Sequence, residues 1–214
     1  MSSRRLVIAI DGAAGSGKST LARGLAGELG LPYVNTGLMY RALARAALDE
    51  HVDLDDGDAL AELTRRLRVR LAGEGPAMLE VEGFPVAVLH TIEVDAAVSR
   101  ASRHPQVRSL MHRVQRSIGE GGAVMEGRDI GTVVCPDATV KLFLRADADR
   151  REARRAVDRG REMTDVATAL HARDARDAAV NPLEPAADAV TIDTSEATPE
   201  ATLALALEIV RARR

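Results

Sequence analysis

Lysine is almost missing from this chain. Lys18 and Lys141 stand against twenty-seven arginines among 29 basic residues. Aromatic residues are nearly as scarce, with two Tyr, two Phe and no Trp. That leaves no stacking platform for the bases of a single-stranded nucleic acid. One cysteine, Cys135, excludes an intrachain disulfide and suits a reducing compartment, so a cytoplasmic location is expected. No apolar run approaches the ~20 residues needed to span a bilayer. Residues 1–10 are too short for a signal peptide, and their apolar run leads straight into a glycine loop. The net charge of −3 gives no global attraction to nucleic acid or to a membrane surface. The heavy use of Arg and Ala reads first as a genome-composition bias.

What is present is enough for one globular unit with inserts: 214 residues, 46% of them hydrophobic. Leu6–Ile10 is a continuous apolar run, as in a buried parallel strand. Leu21, Leu25 and Leu29 follow at helical spacing, and Gly30 and Pro32 end that helix. Tyr33–Asn35 reads as a short strand, and 38–50 and 56–66 read as helices. Residues 67–89 alternate apolar and polar around Gly73, Gly75 and Pro76, the pattern of a small antiparallel insert. From 105 to 118, Val107, Leu110, Met111, Val114 and Ile118 form an apolar helical face with Arg108, Arg113 and Arg116 off it. Ala123–Met125, Val140–Leu144 and Val190–Ile192 supply three more strands. Thr198 and Pro199 cap a last helix with Leu203, Leu207 and Val210 inward. Alternating strands and helices predict a parallel sheet covered on both faces.

The scarce lysine is used in "GAAGSGKST", Gly12–Thr20. The pattern G-x-x-x-x-G-K-[ST] matches at Gly12, Gly17, Lys18 and Ser19, between a strand and a helix, where such a loop cradles phosphates. Gly12, Ala13, Ala14, Gly15, Ser16 and Gly17 can turn backbone N–H groups inward, and the helix adds its positive dipole end at Lys18, Ser19 and Thr20. Lys18 places charge on β- and γ-phosphates, and Ser19 offers its hydroxyl to Mg²⁺. A phosphate loop does not name the reaction. A guanine-reading N-K-x-D segment is absent, which argues against a GTPase switch. "VKLFLRAD" lacks the Asp-Glu pair that ends the corresponding strand of an ATP-driven motor. A small-molecule kinase needs an acceptor site and a cover that excludes water.

Both have candidates. "NTGLMYRA" (35–42) begins at a strand end and offers Arg41, and "EGRDIG" (126–131) ends another strand and offers Arg128 and Asp129. Two arginines at neighbouring strand ends can clamp a phosphate. Residues 145–178 hold nine Arg against eight Asp or Glu. That balance fits helices laced with ion pairs, yet it is also the region dense enough in arginine to surround a transferring phosphoryl group.

Taken together, these stretches resemble the bacterial cytidylate kinases over nearly the whole chain. The resemblance is carried by "IDGAAGSGKST", "NTGLMYRALA", "VEGFPV", "LHTIEVDAAVS", "HPQVR", "MEGRDIGTVVCPDATVKLFLRA", "ARDARD" and "PLEPAADAVTIDTS" in the family's order. It implies ATP-dependent phosphorylation of CMP and dCMP, with Mg²⁺ accompanying ATP. It implies an α/β fold with a five-stranded parallel sheet flanked by helices, an acceptor-binding insert carrying a small antiparallel sheet, and a helical lid. The expected division is core 1–36, 101–146 and 181–214, insert 37–100 and lid 147–180, in a monomer. By the same resemblance, Arg41 and Arg128 hold the acceptor phosphate, and Ser99, Arg108 and Asp129 face the cytosine edge. Arg173 and Asp177 reach the ribose, Thr36 stands near the base, and Tyr40 lies beside this group. Lys18, Arg128, Arg154 and Arg155 are expected around the transferring phosphoryl group. Cytosine chemistry fits this set: its C4 amino group donates to a carboxylate, whereas uracil presents an acceptor there.

The lid departs from the family pattern. "RDARDAAVNPL", Arg173–Leu183, keeps Arg173 and Asp177 but lacks a second arginine and is two residues shorter before Pro182. Either the site binds CMP less well, or Arg154, Arg155, Arg159 or Arg176 compensates, with compensation from the 154–159 helix favoured. The five histidines show no metal-binding spacing, and Cys135 before Pro136 reads as a small apolar core residue. Two other readings stay open from sequence: a small kinase for UMP, shikimate or a coenzyme precursor, and a regulatory protein that binds nucleotide without transferring phosphate.

Overall fold

The structure is a computed structural model, and it describes residues 5–73, 76–159 and 183–213. The side chains of Arg155 and 157–159 also fall outside the description, as do Arg173, Arg176 and Asp177 entirely.

The apolar run of β1 (Val7–Gly12) lies at the centre of the sheet because its residues are buried on both faces. Ile8 and Ile10 point to one side and Ala9 to the other, the two-residue period of a strand. It pairs in parallel with β5 (Ala123–Gly127) and with β6 (Val140–Arg145). β2 (Tyr33–Asn35) lies beyond β5, and β7 (Val190–Asp193) beyond β6. These are the five expected parallel strands. The antiparallel pair β3 (Val69–Ala72) and β4 (Met78–Val81) is also present. It is not a separate small sheet, however. β4 joins the edge of β2 at Tyr33 and Met78, which gives seven strands in the order β3-β4-β2-β5-β1-β6-β7. The backbone N–H of Tyr33 donates to the Ala77 carbonyl at 2.8 Å, so the hairpin covers an otherwise open edge.

Helix α1 (Lys18–Leu29) packs Leu21, Ala22, Leu25 and Ala26 against the Ile8/Ile10 face, and Gly30 ends it in the left-handed region. The last helix, α8 (Pro199–Ala212), lies on the same face. Thr202, Ala206 and Val210 are its fully buried residues, while Leu203 and Leu207 pack at the margin. The opposite face is covered by α2 (Thr36–Asp49), α3 (Gly57–Arg66), the short α4 (Val86–Leu89), α5 (Ile92–Ala101) and α6 (Pro105–Gly119). α5 had no separate sequence signal. Its start is capped by Thr91, whose hydroxyl accepts from the Val94 N–H. α6 is rotated from the expected face. Its buried stripe is Val107, Met111, Gln115 and Gly119, and Val114 is 39% exposed. α7 (Ala148–Arg159) follows β6.

After β5 the chain makes one wide turn, Ile130–Val134, with i→i+5 bonds from Val134 N to Asp129 O (3.1 Å) and from Cys135 N to Ile130 O (2.7 Å). Such wide turns recur at functional sites. Asp11 at the end of β1 fixes this one, accepting from Ile130 N at 2.8 Å and Gly131 N at 2.7 Å. Burial pushes the Asp11 carboxyl up, opposed by these two backbone donors. β1, β2 and β5 therefore end on one edge of the sheet with their following loops tied together.

Candidate active site

The carboxyl ends of these strands open onto a cleft of about 1060 Å³. One wall is the glycine loop. Gly12 has φ 150, and a Cβ there would lie 2.4 Å from the Leu144 carbonyl oxygen, so no other residue fits this turn. Gly15 and Gly17 also have positive φ. The loop thus closes tightly and leads into α1 with Ala14, Gly15, Gly17, Lys18, Ser19 and Thr20 on the cleft. Lys18 Nζ donates to the Ala13 carbonyl at 2.5 Å and lies 3.5 Å from Ser16 Oγ, curled over the loop it serves. The other lysine, Lys141, is structural: it donates to Pro136 O and Asp188 Oδ1 at 2.5 and 2.8 Å.

The opposite wall carries Arg41, Arg128, Asn35 and the 90–93 segment. Arg41 is held out straight by two acceptors, the Leu89 carbonyl at 2.8 Å and Asp95 Oδ1 at 2.6 Å. With its guanidinium buried and fixed, it can meet a phosphate without losing rotamer freedom. Arg128 enters the same cleft from the end of β5. Arg154 reaches it from α7, where its guanidinium donates to the Thr194 carbonyl and hydroxyl. Thr194 in turn donates to Ser16 O at 3.0 Å, so Arg154 stands on the glycine-loop side of the cleft. Arg151 from the same helix donates to Ala14 O at 3.2 Å.

Next to Arg128, outside the cleft lining, a polar group gathers between α2, α6 and the segment after β5. Arg108 donates to Asp129 Oδ2, and His112 Nε2 lies 3.3 Å from that oxygen. Burial alone would push the Asp129 carboxyl up. The approach of His112 and the charges of Arg108 and Arg128 outweigh it and hold the carboxyl below its usual range. The Tyr40 hydroxyl, Ser99 Oγ and Gln115 Nε2 are buried without a hydrogen-bond partner among the described residues. Burial pushes the Tyr40 phenol well above its ordinary range. Buried polar atoms without partners carry a cost of about 1–3 kcal/mol each.

A cytidylate kinase family model matches residues 8–212. The chain is 44% identical to the cytidylate kinase of Methylocella silvestris, covering 96% of this chain and 94% of that one. It is 41% identical to the cytidylate kinase of Limosilactobacillus fermentum, covering 90% of each. The chain belongs to the cytidylate kinase family. The fold is also shared with a solved sugar kinase from Janibacter sp., at TM-score 0.51 and 18% identity over 97% of this chain and 95% of that one.

With the family known, the expected residues can be placed one by one, with Gly12, Ala13 and Ser16 in the glycine loop but off the cleft lining. Ala14, Gly15, Gly17, Lys18, Ser19, Thr20, Arg41, Arg128 and Arg154 line the cleft. Tyr40, Arg108 and Asp129 belong to the enclosed polar group, and Ser99 is buried on α5. Thr36 is buried, and its hydroxyl donates to the Glu126 carbonyl at 2.8 Å, so its proton is spent on fixing the β5 end. Arg173, Asp177 and the Arg155 side chain lie outside the described residues.

Sequence reasoning missed Glu126. Its carboxylate accepts from Ser19 Oγ at 2.9 Å and from the Tyr33 hydroxyl, and it is 4% exposed. Burial and the neighbouring Glu126 charge push the Tyr33 phenol well above its ordinary range. One carboxylate thus joins α1, β2 and β5 beside Lys18. The signal is an acid ending the apolar strand "AVME". His112 was missed too. Cys135 matches expectation: it is buried against Met125, and burial pushes its thiol up to about 11.

Proposed function

We propose that this cytidylate kinase transfers the γ-phosphoryl group of ATP to CMP and dCMP. The observation that carries the reading is one cleft with a glycine loop and Lys18 on one wall, Arg41 and Arg128 on the other, and the Arg108–Asp129 pair next to Arg128. ATP phosphates on the glycine loop and an acceptor phosphate on the two arginines would face each other across it. A nonbridging oxygen of the CMP phosphate attacks the γ-phosphorus, the bond to the β,γ-bridging oxygen breaks, and ADP leaves as CDP forms. The acceptor oxygen is already ionised at neutral pH, so no protein base is needed. Catalysis rests on alignment and on charge neutralisation by Lys18, Arg128 and the α7 arginines Arg154 and Arg155.

Mg²⁺ fits the site's chemistry. Ser19 and Glu126 set a hydroxyl and a carboxylate 2.9 Å apart beside the glycine loop, the hard oxygen donors that this ion takes together with substrate phosphates. Bound there, it would neutralise charge on the transferred group. The cytosine amino group would donate to Asp129, with Arg108 and Ser99 donating to N3 and O2. The unpartnered Ser99 and Tyr40 hydroxyls support this placement. Thr36 would stand near the base and Arg173 and Asp177 at the ribose. The division into core, acceptor insert (37–100) and lid (147–180), and action as a cytoplasmic monomer, belong to the same proposal. Among the described residues no helix is long and apolar enough to cross a membrane.

The test is ADP formation from ATP and Mg²⁺ with a panel of nucleoside monophosphates, shikimate and no acceptor. Turnover with CMP and dCMP well above UMP, AMP and shikimate is expected. Equal turnover across bases, or ADP formation independent of acceptor, would overturn the reading.

A further inference from the structure

Arg108 and His112 are four residues apart on α6, so their side chains leave the same face of the helix. Both converge on Oδ2 of Asp129. Asp129 stands at the head of the wide turn that Asp11 holds from below. The side chains of His112 and Asp129 are 15% and 9% exposed, so neither contact is diluted by solvent. Among the described residues, Oδ1 of Asp129 takes no hydrogen bond from protein. A carboxylate can rotate about its Cβ–Cγ bond and exchange its oxygens. Arg108 hydrogen-bonded to Oδ2, with the His112 nitrogen beside the same oxygen, restricts that freedom and leaves Oδ1 for a ligand.

We propose that His112 is a positioning residue for base recognition. Together with Arg108 it holds Oδ2, which reserves Oδ1 for the exocyclic amino group of cytosine. This rests on the reading of Asp129 as the carboxylate that meets the base. His112 does not touch the base; it acts through Asp129. Arg108 alone is a poorer anchor because it is also needed to donate to the ring. With one donor on Oδ2 the carboxylate could swing to follow the guanidinium. Other groups around the pair include Arg128 on the β5 side, Asp11 below the turn, Tyr40 from α2 and Gln115 on α6. Of these Arg128 is a cation, and it lines the cleft. The imidazole Nε2 is buried and unaligned for a hydrogen bond as it stands. A ligand that drew on Oδ1 would pull the carboxylate into register with it.

The experiment compares the full chain with His112→Leu and His112→Gln, measuring kcat and KM for CMP and for UMP with ATP and Mg²⁺. His112→Leu is expected to raise KM for CMP roughly tenfold, to leave kcat at saturating CMP within about twofold, and to leave UMP unchanged, so that base discrimination narrows. His112→Gln keeps an N–H donor at similar reach and should recover most of the discrimination. His112→Leu added to Asp129→Asn should produce no further narrowing. Equal losses for both bases, or a His112→Gln as defective as His112→Leu, would mean that His112 only supports the fold. A second measurement needs no variant: the His112 Nε2 resonance in the ¹⁵N spectrum of the wild type should shift on adding CMP and hold still on adding UMP. An unmoved resonance with CMP bound overturns the proposal. If the wild type does not prefer CMP at all, the reading of the base site falls and this inference falls with it. If the wild type prefers CMP, Asp129→Asn abolishes the preference and His112→Leu does not, only the role of His112 is refuted.

Discussion

Glu126→Gln changes the shape of the site hardly at all and changes its hydrogen-bond arithmetic completely. The native carboxylate offers two acceptor oxygens, and each takes one hydroxyl proton, from Ser19 at 2.9 Å and from Tyr33. Glutamine offers one acceptor oxygen and one amino group. Whichever hydroxyl faces the amino group must turn its own proton elsewhere, and Tyr33 is only 6% exposed. A hydrogen bond to a charged group contributes about 1.5–3 kcal/mol and a buried unsatisfied donor costs about 1–3 kcal/mol, so a loss of roughly 2–3 kcal/mol is expected. For a chain of this size that lowers Tm by roughly 4–12 °C. Tyr33→Phe alone should also destabilise, because it strips one oxygen of a buried carboxylate of its donor. The double variant removes the surplus hydroxyl as well as the second acceptor, leaving Ser19 donating to the amide oxygen with a phenyl ring beside it. It should therefore be more stable than the sum of the single losses by about 1 kcal/mol or more. Urea denaturation of the four proteins measures this directly, and steady-state assays run alongside would show whether turnover follows Ser19. A coupling within about 0.3 kcal/mol of zero would refute the acceptor-counting argument.

Lys18→Ala should lower kcat by about 10²-fold or more while the protein stays folded, since the contact strengthens as charge builds on the transferred phosphoryl group; near-normal turnover would contradict this. Gly12→Ala should destabilise by roughly 3 kcal/mol, because its Cβ would meet the Leu144 carbonyl at 2.4 Å from an unfavourable φ; thermal denaturation reads it. Arg41→Lys cannot hold both Leu89 O and Asp95 while facing a phosphate, so KM for CMP should rise by about tenfold or more and Tm should fall as a buried acceptor loses its donor. Asp129 has its folded value held below the unfolded one of about 3.9, so its ionised form stabilises the fold above that value and the contribution fades as pH falls through the folded value. The stability gap between wild type and Asp129→Asn should therefore shrink as pH falls below about 4, as measured by urea titration.

The glycine loop was legible in the sequence because all its work is done within nine consecutive residues, Gly12–Thr20, whose spacing alone fixes the turn and the helix start. The strands of the parallel core were legible for a similar reason: runs such as "LVIAI" and "VKLFL" are apolar at every position, which a strand covered on both faces requires. α6 was legible as a helix and misread in rotation. Its pattern admits two neighbouring stripes, and contact with α3, β5 and the wide turn selected the one through Gln115 and Gly119. The hairpin at 69–81 was foreseen, but its junction with β2 at one residue pair was not, since nothing local encodes which edge a hairpin meets.

Glu126 shows where local reading stops. Its two partners, Ser19 and Tyr33, lie 107 and 93 residues away in the chain, so no window of sequence contains the set. The same holds for Arg108, expected on the polar side of α6 by periodicity and found turned to Asp129, 21 residues on. Backbone geometry and burial follow from short-range sterics and hydrophobic patterning, and the sequence by itself determined them. Which buried polar groups meet follows from how rigid elements pack. Tertiary structure alone decided that a hydroxyl from α1, a phenol from β2 and an acid from β5 would meet at the shared strand ends. A buried carboxylate must find donors wherever the fold places them.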